Sequence, residues 1–264
     1  MSDERLVNSI QDLSKVMKRL RQDCPWDRRQ THSSLRRYLL EECYEVLDCL
    51  DRGDDQALKG ELGDLLFQIW FHCEMANENE AGFDLSDVVT GVTEKLVRRH
   101  PHVFESGEGV DEVWVKKNWQ ELKMAEGRRS ILEGVPIGMP SLQVAHALQE
   151  KAAHVGFDWP NYRDVLEKVK EELDEFLVEQ EKDEQSAVDG APDVRGEFGD
   201  LLFSLVNVGR WLRVSPEDAL RETNIKFRRR FLHIEDSART AGKKLDDMTL
   251  DEMDALWDEA KTLE

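Results

Sequence analysis

The sequence predicts an all-α protein built from two similar helical bundles, and three features of its 264 residues support this. Apolar residues recur every three or four positions along most long segments, which is the period of an amphipathic helix. Runs with the period-two alternation of β-strands are absent. Charged motifs of the first half recur in the same order in the second half. Repeated units of this kind are expected to form tandem bundles of the four-helix type.

The clearest helical stripes accompany acidic residues in both halves of the chain. Their apolar positions share one helix face, and the acids stand between them. In the first half the stripes are Leu39, Leu40, Cys43, Val46, Leu47 and Leu50, then Leu65, Leu66, Ile69, Trp70, Cys73 and Met75. In the second half they are Val165, Val169, Leu173, Phe176 and Leu177, then Leu201, Leu202, Leu205, Val206 and Val208. We expect these faces to form the cores of the two bundles.

The helical pattern breaks between the two halves. Residues 127–140, GRRSILEGVPIGMP, contain three glycines and two prolines, which stop helices. This segment is the predicted linker. The predicted domains are therefore residues 1–126 and residues 141–264, with a new helix starting at Ser141.

The composition restricts the class of partner. The formal net charge is −20, from 56 acidic and 36 basic residues, so nucleic acid polymers and anionic membranes are unfavourable partners. A divalent cation with a few local bases could still bind small phosphorylated ligands. The four cysteines form no CxxC pair, which favours reduced thiols. The first residues contain no apolar signal core, and no apolar run is long enough to span a membrane. We expect a cytoplasmic protein.

The internal repeat is specific in its residues. The motif GELGDLLF at Gly60–Phe67 recurs as GEFGDLLF at Gly196–Phe203, with seven of eight positions identical. Upstream, the EExxE pattern of Glu41–Glu45 recurs at Glu171–Glu175. Downstream, a basic cluster follows in both halves: Lys95, Arg98 and Arg99 match Lys226, Arg229 and Arg230. Three matches in the same order indicate a duplication.

The repeated acids are candidate metal ligands. Residues three or four apart lie on one helix face, so Glu172 with Glu175, and Glu197 with Asp200, can converge if their helices pack antiparallel. Crowded carboxylates repel one another, and a hard divalent cation such as Mg²⁺ removes that cost. The other interpretation is a set of solvated acids on an acidic protein. A di-iron site is disfavoured because no histidine follows a glutamate by three residues. The first half offers a secondary set: Glu42, Glu45, Glu61 and Asp64.

Basic residues supply the second part of the candidate site. Lys226–Arg230, KFRRR, is a dense cationic cluster in a strongly acidic chain, and Lys168 lies one turn before Glu172. Such residues bind phosphate through charge-assisted hydrogen bonds, although ion pairs on a helix surface are the alternative. Acids for a metal together with bases for phosphate predict a Mg²⁺–polyphosphate site. The alternatives to an enzyme are a non-catalytic Mg²⁺–nucleotide-binding regulator and a purely structural scaffold.

These motifs resemble the all-α nucleoside triphosphate pyrophosphohydrolase superfamily and, within it, the MazG family. The resemblance covers essentially the whole chain. It includes CPWD at Cys24–Asp27, RRHPHVF at Arg98–Phe104, VGFDW at Val155–Trp159 and KVKEE at Lys168–Glu172. It implies a helical bundle that assembles as a homodimer. It also implies hydrolysis of NTPs and dNTPs to monophosphates and diphosphate with Mg²⁺, or with Mn²⁺ as a substitute.

The resemblance also implies roles for single residues. The Mg²⁺ ligands would be Glu172, Glu175, Glu197 and Asp200, and the catalytic residues Glu171 and Glu172. The nucleotide would contact Lys168, Val169, Lys170, Glu171, Glu172, Asp200, Lys226, Phe227, Arg228, Arg229, Arg230 and Trp257, although Trp257 could equally be a core residue. The first half has Tyr38, Leu40 and Val97 in place of Lys168, Lys170 and Arg228, so we expect the second half to be the main catalytic half. No pattern predicts a base-specific pocket, and broad specificity is expected.

Overall fold

A computed structural model of the chain describes residues 2–105, 114, 129–186 and 192–263. Every regular element in these ranges is helical, which confirms the all-α prediction. The chain divides into two compact units, a first unit of Met1–Glu112 and a second unit of Val113–Glu264. The domain limits predicted from the sequence stay predictions, because most of residues 106–128 lie outside the described ranges.

The first unit contains five helices in its described part. They are α1 (Ser2–Asp23), α2 (His32–Arg52), α3 (Asp55–Asn77), α4 (Leu85–Arg99) and α5 (Pro101–Phe104). Thr31 and Asp84 begin α2 and α4 with capping boxes, in which side chain and backbone satisfy each other's hydrogen bonds. Gly53 ends α2 at a φ of +64°, which glycine adopts without steric cost.

The core of the first unit is formed by large side chains from three helices. Its buried members are Met17, Leu35, Trp70, Phe71 and Met75. Leu13, Tyr38, Phe67 and Leu85 pack against them. Burial of such side chains from water is the main favourable term in folding the unit.

The second unit contains five further helices in its described part. They are α6 (Ser141–His154), α7 (Tyr162–Ser186), α8 (Pro192–Leu212), α9 (Pro216–Thr240) and α10 (Leu250–Thr262). Ser215 caps α9 ahead of a proline at its first turn, and Thr249 begins α10 with a capping box. The extensive packing of α7 against α8 places the two acidic motifs of this unit on neighbouring helices.

The predicted linker is irregular in its described part, where residues 129–140 form turns and bends. Lys151 of α6 donates from Nζ to the backbone oxygens of Ile131 and Glu133, at 3.0 and 3.1 Å. These bonds attach the segment to α6.

Several predicted core positions are exposed. On α7 and α8, Leu173, Leu177, Leu202 and Leu205 remain open to solvent, as do Leu40, Leu47, Leu50, Leu66 and Ile69 of the first unit. The expectation that each whole stripe is buried within its own unit was therefore wrong. The reason is geometric: each helix packs one side on its neighbours, and its apolar stripe is wider than that side.

The cysteines are free thiols, and Cys49 and Cys73 are buried. Among the described helices, none has both the length and the apolar character required to cross a lipid bilayer.

Candidate functional site

Three carboxylates of the second unit converge where α7 packs on α8. Glu172 lies on α7, while Glu197 and Asp200 lie three residues apart on α8. Each offers one oxygen, and these oxygens all lie within 4.8 Å of one another. We call these three residues the carboxylate cluster. Glu172 is 7% exposed, so its charge is largely withdrawn from water.

The electrostatics of the cluster reflect its crowding. Desolvation raises the pKa of Glu197, and the nearby charges of Glu175, Asp200, Glu172 and Glu179 raise it further. Glu175 is therefore electrostatically coupled to the cluster, as its position in EExxE suggested. Glu179, one turn beyond Glu175, contributes to the same electrostatic field. The sequence motifs did not predict this contribution.

The donor set fits a hard divalent cation. All three donors are carboxylate oxygens, and neither histidine nor cysteine belongs to the group. Such a set suits Mg²⁺ or Mn²⁺ better than zinc, copper or an iron site. Desolvation and then the neighbouring acids raise the pKa of Glu197, and a bound cation would offset this cost of its charge.

Lys168 is the cation nearest to this group among the described ion pairs. Its Nζ lies 2.7 Å from Oε1 of Glu171 and 2.7 Å from Oε1 of Glu172. The hydrogen bonds to Glu171 and Glu172 raise the pKa of Lys168 well above its ordinary value. The lysine is therefore charged at any physiological pH, and it fixes the two glutamates relative to each other.

A cavity of about 580 Å³ opens beside the cluster. Lys168, Glu172 and Asp200 form part of its wall, so the cavity and the carboxylates share one site. The rest of the wall is mostly apolar and includes Leu132, Leu148, Ala152, Phe157, Trp159, Val165 and Phe203. This size and lining are typical of a small-molecule site.

The VGFDW segment shapes one side of the cavity. Gly156 turns the chain at the end of α6 with a φ of +86°, a conformation that glycine tolerates best. Asp158 follows, and it accepts hydrogen bonds from Arg210 and from Trp211 Nε1, the latter at 3.2 Å. Burial opposes ionisation of Asp158, but the bonds from Arg210, the Trp159 backbone and Trp211 outweigh it and lower its pKa.

Two amide side chains add to the polar part of the wall. Gln149 is 8% exposed and donates from Nε2 to the backbone oxygen of Phe203 at 2.8 Å. Its Oε1 is buried and accepts no hydrogen bond from any described residue. Asn207 accepts a hydrogen bond from Arg210 Nε at 2.9 Å.

These polar wall residues were missed by sequence reasoning. Asp158 belongs to the VGFDW motif, which was a usable signal. Gln149, Asn207 and Arg210 are single polar residues of α6 and α8 that belong to none of the recognised motifs.

The predicted KFRRR segment of α9 does not line the described cavity. None of Lys226, Phe227, Arg228, Arg229 or Arg230 is among the residues that line the cavity. The Arg230 guanidinium carbon lies 5.4 Å from the centroid of the Trp257 ring, and the Phe227 ring lies 5.2 Å from that ring. The structure thus groups the end of the basic cluster with Trp257.

The remaining predicted nucleotide contacts lie on α7 close to Lys168. Lys170 pairs with Glu167 at 2.9 Å on the exposed side of the helix, and Val169 is partly buried. Neither residue lines the described cavity.

The first unit repeats the acids. Oxygens of Glu42, Glu45 and Glu61 lie within 4.8 Å of one another. Desolvation and then the charges of Asp64, Glu45 and Glu61 raise the pKa of Glu42. Three of the four acids predicted as the secondary set therefore converge, and Asp64 is not in this group.

The surroundings of this first set differ from those of the second. In the repeat register Tyr38 replaces Lys168, and it packs on the core of its unit. Phe71 replaces Asn207, and it is fully buried. Aromatic side chains thus occupy positions that belong to the cavity wall in the second unit.

Comparison with known proteins decides the family. A model described as the MazG nucleotide pyrophosphohydrolase domain matches residues 30–104. A Thermotoga maritima protein named nucleoside triphosphate pyrophosphohydrolase/pyrophosphatase MazG is 41% identical, over 96% of this chain and 95% of that protein. The chain belongs to the MazG family. The chain is a hydrolase that acts on phosphoric anhydrides.

Two further MazG-related proteins are similar to this chain. The nucleoside triphosphate pyrophosphohydrolase of Escherichia coli K12 is 40% identical over 98% of this chain and 99% of that enzyme. The crystal structure of a mazG-related protein from Thermotoga maritima is 27% identical and covers 43% of this chain and 98% of that chain, with a TM-score of 0.39. The matching MazG domain model falls in the first unit, and the second unit carries the duplicated motif.

Proposed function

We propose that this chain is a Mg²⁺-dependent nucleoside triphosphate pyrophosphohydrolase of broad specificity. It converts NTPs and dNTPs to monophosphates and diphosphate. The observation that carries the proposal is the convergence of Glu172, Glu197 and Asp200 beside a cavity of about 580 Å³. The relatives from Thermotoga maritima and Escherichia coli, similar over nearly their whole length, are named for this reaction.

The metal ligands in this proposal are Glu172, Glu175, Glu197 and Asp200. Their oxygen donors and their mutual repulsion support a Mg²⁺ site, and the same donors accept Mn²⁺. When bound, the cation neutralises triphosphate charge and acidifies a coordinated water.

Residues beside the metal ligands position the attacking water and accept its proton. Lys168 holds the carboxylates of Glu171 and Glu172 at 2.7 Å from one ammonium group. Glu171 or Glu172 orients the attacking water and accepts its proton. The water oxygen bonds to the α-phosphorus, the bond from this phosphorus to the bridging oxygen breaks, and diphosphate leaves.

The basic residues of α9 stabilise the leaving diphosphate. Lys226, Arg229 and Arg230 neutralise its developing charge. The remaining predicted nucleotide contacts are Val169, Lys170, Phe227, Arg228 and Trp257.

The second unit is proposed as the main catalytic half. Lys168 and the cavity accompany its carboxylates, whereas the first unit places Tyr38 and Phe71 at the matching positions.

The assembly in this proposal is a homodimer of a tandem-bundle chain. The exposed leucines of α7 and α8, Leu173, Leu177, Leu202 and Leu205, leave an apolar face that a second copy would cover. Sedimentation equilibrium should give twice the chain mass, and a Leu202→Glu variant should sediment as a monomer.

A matched pair of variants tests the enzymatic proposal. Glu172→Gln and Glu42→Gln remove the same charge at equivalent positions of the two repeats. With Mg²⁺ and a panel of NTPs and dNTPs, chromatography of the products should show monophosphate and diphosphate formation falling at least hundredfold for Glu172→Gln and little for Glu42→Gln.

Other outcomes of this experiment contradict the proposal. The reverse pattern would move catalysis to the first unit. Tight Mg²⁺–nucleotide binding without turnover in the unmodified protein would support the regulator instead of the enzyme.

A further inference from the structure

Part of the cavity wall comes from the irregular segment that precedes α6. We call residues 129–134 of this segment the strap. Leu132 of the strap lines the cavity together with Leu148 and Ala152 of α6, and it is 43% exposed. The other lining residues belong to α6, α7, α8 and the VGFDW segment. Leu132 is therefore the contribution of the strap to the wall.

Lys151 of α6 holds the backbone on both sides of Leu132. Its Nζ donates to the backbone oxygens of Ile131 and Glu133, which immediately precede and follow Leu132, at 3.0 and 3.1 Å. The backbone N–H of Leu132 donates to Ser130 Oγ at 3.1 Å. Hydrogen bonds from an ammonium group are stronger than those between neutral groups. Lys151 therefore fixes the backbone from which the Leu132 side chain reaches the cavity.

The anchor of the strap and the cavity wall belong to the same part of α6. Lys151 directly precedes Ala152 and follows Leu148 by three residues, and both neighbours line the cavity. The strap itself consists of turns and bends, so without the lysine its arrangement would depend on weaker contacts. Ordering such a segment costs conformational entropy. A ligand that packs on Leu132 would then have to supply this cost from its own binding free energy.

We propose that Lys151 is a positioning residue of this site and that it acts through Leu132. The inference rests on the function proposed above. Lys151 holds the strap in the arrangement that binds substrate, and Leu132 packs on the substrate in the cavity. An apolar contact of this kind stabilises the ground state and the transition state alike, so it affects KM and leaves kcat unchanged. By thermodynamic reciprocity, a bound ligand also stabilises the strap.

The first test truncates the apolar side chain of the strap. Leu132→Ala should raise KM for Mg²⁺–ATP about fivefold and keep kcat within about twofold, because a partly exposed contact is lost. Ile137→Ala is the matched control, since Ile137 is 97% exposed on the same irregular segment and does not line the cavity. This control should leave KM and kcat unchanged. An unchanged KM for Leu132→Ala would overturn the proposal.

The second test examines the lysine. Lys151→Met removes both hydrogen bonds to the strap and keeps a side chain of similar length, so KM should rise about as much as in Leu132→Ala. Lys151→Arg keeps a cation with several N–H donors and should restore most of the loss. A KM that stays raised in Lys151→Arg as in Lys151→Met would contradict the role of these two bonds.

The double variant shows whether Lys151 acts through Leu132. If both changes remove the same contact, Leu132→Ala combined with Lys151→Met should raise KM no further than either change alone. Multiplied effects of the two changes would show that Lys151 acts elsewhere and would overturn the proposal. If Lys151→Met does not fold, Leu132→Ala still decides the matter, because it truncates a partly exposed side chain outside the helices.

Hydrogen–deuterium exchange separates this inference from the proposed reaction. The probe is Mg²⁺ with α,β-methylene-ATP, in which a CH₂ group replaces the bridging oxygen of the bond to be cleaved. It should slow amide exchange in residues 129–134 several times in the unmodified protein and little in Leu132→Ala. Slower exchange in a protein that hydrolyses no triphosphate would support the strap and refute the enzyme. Hydrolysis with unchanged strap exchange would support the enzyme and refute the strap.

Discussion

Lys168 Nζ lies 2.7 Å from Oε1 of Glu172, one helical turn further along α7, and this ion pair joins the cavity wall to the carboxylate cluster. Glu172 is the most buried acid of the cluster. The ammonium group of Lys168 therefore compensates the carboxylate of Glu172 when no cation is bound. Several properties of the protein should follow from this dependence and from the crowding around it.

Replacing Lys168 by methionine should destabilise the metal-free protein. The variant leaves the buried carboxylate of Glu172 without its cation, at a cost of about 1–3 kcal/mol once partial solvent access is considered. Mg²⁺ should restore part of this loss, because it supplies positive charge at the same place. Urea unfolding with and without Mg²⁺ measures both effects.

The control for this variant is Lys15→Met, which removes an exposed lysine paired with Asp12 at 2.8 Å. It should change the free energy of unfolding by well under 1 kcal/mol. If Lys168→Met is equally harmless without Mg²⁺, the ion pair does not stabilise the site.

Replacing Glu197 by glutamine should raise the melting midpoint of the metal-free protein at neutral pH. The folded-state pKa of Glu197 is raised by desolvation and by its acidic neighbours, so its ionised form opposes folding. This penalty is fully present above the raised pKa and disappears as the pH falls below the ordinary glutamate value of 4.5. The gain from glutamine should therefore be present at pH 7 and shrink on acidification.

The same substitution should reduce the rise in melting midpoint that Mg²⁺ causes, because it removes one ligand charge. Differential scanning calorimetry over a pH series, with and without Mg²⁺, separates the two effects. A lower midpoint at pH 7 without metal would contradict the unfavourable charge of Glu197 in the folded protein.

Asn207 and Phe71 occupy equivalent positions of the two repeats. Exchanging them should impair catalysis in the second unit and stability in the first. Asn207→Phe places a large ring in the cavity wall and should lower kcat/KM for NTPs at least tenfold with little loss of stability. Phe71→Asn places a polar group in the core of the first unit and should cost about 3–5 kcal/mol. Steady-state kinetics and urea unfolding measure these effects. Unchanged kinetics for Asn207→Phe would show that nucleotides do not enter the cavity.

Removing the Lys151 contacts should loosen residues 129–134. Lys151→Met eliminates the bonds from Nζ to the backbone oxygens of Ile131 and Glu133. Trypsin should then cleave after Arg129 several times faster, since proteolysis requires local opening. Lys261→Met, which removes an exposed lysine paired with Asp258, should leave this rate unchanged.

The sequence was informative where the signal was local. Helical periodicity predicted the all-α class, because hydrogen bonds and side-chain spacing within one helix do not depend on distant residues. The spacing of Glu197 and Asp200 placed both on one face of α8, and the duplicated motifs associated both with Glu172. The motifs also sufficed to indicate the MazG family.

The tertiary structure decided which isolated residues share a surface. Gln149, Asp158 and Asn207 come from three separate segments, and only the packing of α6 and of the VGFDW turn on α8 makes them one wall. Phe71 and Asn207 occupy equivalent positions of the two repeats, but they differ in burial. A sequence pattern indicates which face of a helix is apolar, but it does not indicate which helix packs against that face. A pocket forms only between packed neighbours.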